Sequence, residues 1–293
     1  MNFIDISSWQ KGLDLSALFA NNPALDGVIV KATGGSSYVQ DTCDPWVQWM
    51  IANGKPWGFY HFMDDDFHHA SGKAEAEWFV ENCRNYFGLG VPFADYEHPA
   101  KDKGTVYLKE FLDTVYDLTG VRPGVYCSLS VVQTQLFDAI AASGYPLWVA
   151  QYANNNAYYG FTDRPWQSGS VAPYDRYLMH QYTSNGHLNG YDGRLDFDKA
   201  YCTAEEWEAL ATGNGTIQPA PLMKADPYVV GEVLNGHYGN GPERAERLTK
   251  DGYDADDVQR KVNELYGIAL SCKRYTEGNE GYLGQIVKII KLL

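Results

Sequence analysis

The segment VPFADYEHP, residues 91–99, reads as a short buried strand whose apolar run ends in two carboxylates, Asp95 and Glu97, before His98–Pro99 stops it. In extended chain, residues two apart share a face. Asp95 and Glu97 therefore point together, Tyr96 points away, and the two acidic Cα atoms lie roughly 6.5–7 Å apart. Alone, the pair is no more than many solvated loop edges show, because Asp and Glu are common surface residues. Its meaning depends on what else the chain brings to the same strand end.

Seven further runs carry the same strand signature of β-branched and aromatic residues: NFIDIS, GVIVKAT, PWGFYHF, PGVYCS, PLWVAQY, RYLMHQYT and RLDFDKAY. Between the first six of the eight lie helix-like stretches at 13–21, 45–52, 72–85, 106–118 and 129–142. The fourth has apolar residues three and four apart and stops at Gly120 and Pro123. After the sixth strand the helices disappear into a polar, aromatic loop, ANNNAYYGFTDRPWQSGSVAPYD. Alternating strands and helices call for a parallel sheet, and eight strands for closure. The expected fold is α/β: an incomplete TIM-like barrel of eight strands and five helices, over residues 1–210.

A stretch without charge, ATGNGTIQPAPL, opens a linker at 211–224. Three short helices follow over 225–266. The first starts at Asp226–Pro227, the second at Pro242, and the third runs DADDVQRKVNEL with Val258, Val262 and Leu265 on one face. The tail 267–293 is apolar with two lysines in GYLGQIVKIIKLL, too short to span a membrane, and reads as a docking or subunit-contact segment. Met223 stands before the small module; a methionine there is more often incidental than an internal start for a free binding fragment.

The net charge of -14 argues against nucleic-acid binding, which needs a basic surface. The acidity belongs to residues 1–221, with 13 Lys/Arg against 26 Asp/Glu. Five scattered cysteines without a C-x-x-C pair suit reduced thiols. The N-terminus MNFIDISSWQ carries no signal-peptide pattern, so synthesis in a cytoplasm is expected.

Acids recur at other strand ends: Asp5 in FIDIS and Asp196 in RLDFD. If the barrel closes, Asp5, Asp95, Glu97 and Asp196 meet at one mouth. Crowded carboxylates raise one another's pKa, so one stays protonated while another ionises, as cleavage of a glycosidic bond requires. Lys31, Tyr60, Tyr126, Trp148, Tyr152 and Gln181, on or just after predicted strands, would present apolar faces and donors to sugar. Each singly is more often core; only the set is suggestive. MDDDFHHA at 63–70 groups acids with His68 and His69 but has no metal-site spacing and reads as a polar loop. There is no G-x-S-x-G and no phosphate loop, and no cofactor or metal is expected. His61 and His98 lie near the acids, where a satisfied structural histidine is the commoner role.

The ordered series FIDISSWQ, GVIVKAT, GFYHF, FADYEHP, LWVAQY, HQYT and RLDFDKAY resembles glycoside hydrolase family 25, the Chalaropsis-type lysozymes, over about residues 1–205. The resemblance implies a β/α barrel that hydrolyses the β-1,4 bond between N-acetylmuramic acid and N-acetylglucosamine in peptidoglycan. It also implies Glu97 as general acid and Asp95 as its assistant, with Asp5 and Asp196 as the other cleft acids. Two positions depart from the family: Gly34–Gly35 stand where many members carry an acid, and Asp198 replaces a usual asparagine. Residues 225–266 resemble the short cell-wall-binding repeat of phage lysins through G-N-G-x-x-R and G-Y-D, with Tyr238 in place of a tryptophan. That likeness implies Gly239, Asn240, Gly241 and Arg244 as muropeptide contacts, although Arg244 can equally serve a structural pairing. One repeat alone would need self-association for avidity. The expected protein is a phage endolysin acting on bacterial peptidoglycan after release. Its rivals are a catalytically silent wall-binding protein and a chitinase-like glycosidase, whose D-x-x-D-x-D-x-E pattern is absent.

Overall fold

The computed structural model describes residues 1–65, 69–215 and 225–276, and the chain divides into two units, Met1–Gln218 and Pro219–Leu293. His68, Met223, linker residues 216–224 and tail residues 277–293 lie outside the described residues.

In the first unit the elements are β1 (Asn2–Ile6), α1 (Leu15–Asn21), β2 (Gly27–Gly34), β3 (Tyr38–Val39), α2 (Cys43–Ala52), β4 (Trp57–Phe62), α3 (Gly72–Cys83) and β5 (Val91–Asp95). They continue with α4 (Thr105–Thr119), β6 (Gly124–Ser128), α5 (Leu129–Thr134), α6 (Asp138–Ala142), β7 (Leu147–Ala150), β8 (Tyr158–Tyr159), β9 (Met179–His187), β10 (Leu195–Ala200) and α7 (Ala204–Ala211). Eight strands close in the order β1, β10, β9, β7, β6, β5, β4, β2 and back to β1, while β3 and β8 are two-residue additions to β2 and β9. All neighbours in the ring are parallel except β10, which is antiparallel to both β9 and β1.

Alternation sorts the side chains. On β5 and just after it, Ala94 and Tyr96 join the core under the helices, whereas Val91 and Phe93 join a second cluster with Phe3, Ile29, Tyr60, Trp148 and Met179. Asp95 shares the parity of Val91 and Phe93, so that second cluster is the barrel interior. Glycines make room for Phe93: a Cβ at Gly124 would lie 2.4 Å from its ring, and one at Gly58 3.2 Å from it.

The outer helices follow their sequence signals. Helix α4 buries Tyr107, Leu108, Phe111, Leu112 and Val115 on one face and ends at Gly120 in the left-handed region, φ 73°. Helix α3 is capped by Ser71, whose side chain accepts from the Ala74 N–H. Two differences stand out. The stretch expected as one helix at 129–142 breaks into α5 and α6, since Gln135 turns to extended backbone. Helices also return after the last strand: Thr203 and Glu206 form a capping box that starts α7, and its Trp207 plugs the barrel floor, donating to the Trp57 carbonyl at 2.9 Å.

The second unit contains α8 (Pro227–Leu234), α9 (Pro242–Lys250) and α10 (Ala255–Thr276). Asp226 caps α8 by accepting from the Val229 N–H, with Pro227 at the first helical position. Val229, Val230, Val233, Leu248, Val258 and Val262 form its core. Leu265, expected on the same face, is instead exposed, and α10 runs beyond residue 266.

Candidate active site

The upper half of the barrel interior is polar. Going up each strand, Phe3 gives way to Asp5, Ile29 to Lys31, Phe93 to Asp95, Met179 to Gln181, and Ala200 to Asp198 and Asp196. Asp5 and Asp196 face each other in register across β1 and β10. Asp196 begins its strand rather than ending it. It reaches the same mouth as Asp5 because β10 runs antiparallel.

A cleft of about 390 Å³ opens there. Asp5, Asp95, Glu97, Asp196, Lys31, Tyr60, Tyr126, Trp148, Tyr152 and Gln181 all line it. Ser7, Ser8, Trp9, Gln10 and Phe62 line it too and were not anticipated. Their signal was adjacency: SSWQ directly follows the strand that delivers Asp5. The Ser7 side chain and Gln10 cap a short 3-10 turn there, leaving Trp9 90% exposed at the cleft.

Gln181 is fixed by its partners. Its Nε2 donates to Asp5 Oδ2 at 2.7 Å, while its Oε1 accepts from the Tyr126 hydroxyl at 2.8 Å and from the Tyr152 hydroxyl. Lys31 donates to Asp65 at 2.8 Å and lies over the rings of Tyr38 and Phe62. Gly34 allows this pair: a Cβ there would come within 2.3 Å of the Asp65 carboxylate. Asp95 is buried, and its Oδ1 has no hydrogen-bond partner among the described residues.

The carboxylates are held more protonated than usual. Burial, then Glu97 and Asp5, push Asp95 well up. Burial raises Asp196 to about 8, with Asp5 and Glu97 adding to it. Asp5 rises to about 6 through burial, restrained by hydrogen bonds from Gln181 and Asp198. Glu97 has an exposed surface, yet the cleft walls shed enough water to raise it, against the pull of Lys101, Lys31 and His98. Neighbouring carboxyls of differing affinity allow one group to donate a proton while another carries charge.

His61 belongs to the outer layer. Its Nδ1 bonds Thr33 Oγ1 at 2.8 Å and its Nε2 bonds Glu75 at 3.0 Å, so both ring nitrogens are used structurally. His98 is exposed beside Asp102. Among the described residues, no group of three or more His, Cys, Asp or Glu is placed to hold a metal, and no helix is long and apolar enough to cross a membrane.

In the second unit, Gly239–Asn240–Gly241 forms the turn before α9, with Gly239 and Gly241 at positive φ. Arg244 braces that turn. Its Nε and Nη2 donate to the Gly239 carbonyl at 3.0 and 2.8 Å, Nη2 also to Asn240 at 2.8 Å, and Nη1 to Gln259 at 3.0 Å. Its pairing is with carbonyl and amide groups rather than with an acid.

Comparison with known proteins agrees with this geometry. The model of glycosyl hydrolases family 25 matches residues 4–191. The chain belongs to glycosyl hydrolases family 25. A CW_7 repeat matches residues 228–266. The lysozyme of Streptococcus phage Cp-7 is 26% identical over 267 residues, 90% of this chain and 69% of that protein. The bacterial lysozyme of Streptomyces coelicolor shares the fold with a TM-score of 0.61 at 23% identity, over 73% of this chain and 98% of that one. The catalytic domain of endolysin ply40, from bacteriophage P40 of Listeria monocytogenes, does so at 0.54 and 23%, over 72% and 97%. This family 25 chain is a glycoside hydrolase of the lysozyme type, with peptidoglycan as substrate.

Proposed function

We propose that this family 25 hydrolase is a phage endolysin, made in the bacterial host cytoplasm, that cleaves the bond between N-acetylmuramic acid and N-acetylglucosamine after release to the wall. Glu97 is the general acid, open to the cleft and raised in proton affinity. Asp95 holds the substrate acetamido N–H, or the charge that develops near it, through the buried oxygen that has no donor among the described residues. Asp5 and Asp196 complete the acidic mouth, and Tyr60, Tyr126, Trp148 and Tyr152 provide walls for the sugar. The observation that carries the reading is the meeting of acids from β1, the end of β5 and β10 over an apolar floor.

Mass spectrometry of digested peptidoglycan tests it. New reducing ends on muramic acid are expected; glucosamine ends or cleaved peptides would reject the bond assignment, and pelleting with walls without products would make the chain a wall-binding protein.

The domain assignment accompanies this reading: 1–210 catalyses, 211–224 links, and 225–266 binds a muropeptide at Gly239–Asn240–Gly241, with Arg244 setting the turn. Self-association through the C-terminal region, 267–293 included, would add avidity to a single weak site. A chain ended at residue 218 is expected to keep its activity on soluble glycan fragments while its co-sedimentation with walls falls by about 10-fold or more. Unchanged co-sedimentation would remove the module's proposed role.

A further inference from the structure

One acid of the barrel interior does not line the cleft. Asp198 lies one inward position below Asp196 on β10 and is completely buried. Its Oδ1 accepts from Trp148 Nε1 at 2.8 Å. Its Oδ2 is buried with no N–H or hydroxyl donor among the described residues, and Asp5 stands diagonally across from it in the β1–β10 ladder, where its charge acts on Asp198. Two carboxylates cannot hydrogen-bond without a proton between them. Each carboxyl accepts one side-chain N–H, Asp5 from Gln181 and Asp198 from Trp148, but Asp5 opens to the cleft whereas Asp198 is sealed, so Asp5 is the better-stabilised anion of the two.

Building on the site assignment above, we infer that Asp198 is a positioning residue that stays a neutral carboxylic acid, donating its proton to Asp5 while accepting from the Trp148 indole. It thereby fixes the Asp5 carboxylate from the barrel floor, opposite Gln181. The titratable groups that face Asp198 are Asp5 on β1, Asp196 on its own strand and Tyr152 beyond β7; Tyr182 on β9 points outward into the core under the helices. All of them are neutral or negative, and none supplies the cation that would stabilise a second anion. Burial, Asp5 and Asp196 accordingly hold the Asp198 proton well above the ordinary carboxylate range.

The sign of the pH effect follows. In the unfolded chain Asp198 titrates as an ordinary aspartate, whereas in the fold it keeps its proton. Its stabilising contribution is full in acid and is lost as pH rises through the folded pKa. Asparagine offers the same acceptor and donor without a titration.

The test compares the full-length parent with Asp198→Asn and Asp198→Leu, measuring kcat/KM on soluble peptidoglycan fragments and Tm across pH. The asparagine variant is expected to stay within about 3-fold of the parent near neutrality and to melt higher than the parent in mild alkali. Its Tm should also change less with pH. The leucine variant is expected to lose about 10-fold or more, with the acidic limb of its profile moved to higher pH as Asp5 loses a donor. A loss of about 100-fold in the asparagine variant would mean that Asp198 itself ionises or transfers a proton, overturning the inference. Identical Tm–pH curves for parent and asparagine variant would overturn it as well. A parent that releases no muramic ends fails the functional reading instead, and the melting curves still decide the role of Asp198.

Discussion

Glu97→Gln is expected to lose about 10²–10⁴-fold in wall-lysing rate, the ordinary share of general acid catalysis. Glutamine keeps the shape and the hydrogen-bonding reach of the side chain but has no acidic proton for the departing sugar oxygen. Folding should hardly notice. Glu97 is exposed at the cleft, beyond the last residue of β5, and substitutions at such positions usually stay within about 0.5 kcal/mol. Binding of intact walls should survive too, because the second unit is unchanged. The informative result is thus a large fall in rate with Tm and co-sedimentation unmoved. Retention of near-full lysis would transfer the acid role elsewhere, with Asp95 and Asp196 the next residues to replace. The pH profile supplies a second check. The alkaline limb of the parent should lie above the ordinary glutamate range, since burial raises the Glu97 proton affinity against the pull of the nearby Lys101 and Lys31. As pH rises through that value the acid is lost, so rate falls.

Much of this site is legible in the chain because a barrel strand has only two faces. Once VPFADYEHP is a strand, Phe93 and Asp95 must share a face, and the same parity ties Phe3 to Asp5 and Ile29 to Lys31. Polarity at the upper positions and bulk at the lower ones then define mouth and floor. What parity does not encode is strand direction. Asp196 stands at the start of RLDFD, and only the antiparallel course of β10 carries it to the mouth. The seven-residue connection between β9 and β10 was the available clue, being too short for a parallel crossover. Helix α7 has only eight residues, too few for a hydrophobic period to show, although Thr203 and Glu206 spell a capping box. Arg244 shows another limit. Its motif suggests a ligand contact, but three of its N–H donors close the turn at Gly239–Asn240 and a fourth reaches Gln259 on α10, a fact fixed by packing rather than by spacing.

Phe93→Ala is expected to destabilise the first unit by about 3–5 kcal/mol, the usual cost of truncating a fully buried phenylalanine. The magnitude should lie towards the upper end because the seat is built from parts that collapse poorly. Strands flank Phe93 on both sides, Trp148 meets it edge-on at 5.2 Å, and Trp207 closes the floor at 6.0 Å. Gly58 and Gly124 leave the space that its ring fills, so neither neighbouring strand has a side chain to swing into the void. Urea unfolding of the 1–218 unit measures the loss. A cost below about 1 kcal/mol would mean that the floor repacks and is not the fixed platform on which the acids stand. A double-mutant cycle sharpens the point. Gly124→Ala by itself should destabilise, since its methyl group would sit 2.4 Å from the ring in a tightly filled barrel. In the Phe93→Ala background the same methyl group enters the vacated space, so its penalty should shrink or reverse. A coupling of about 1–3 kcal/mol is expected for such a contact. Strict additivity would show that the glycine answers to the backbone alone, and that the floor beneath Asp95 owes its shape to the strands rather than to this ring.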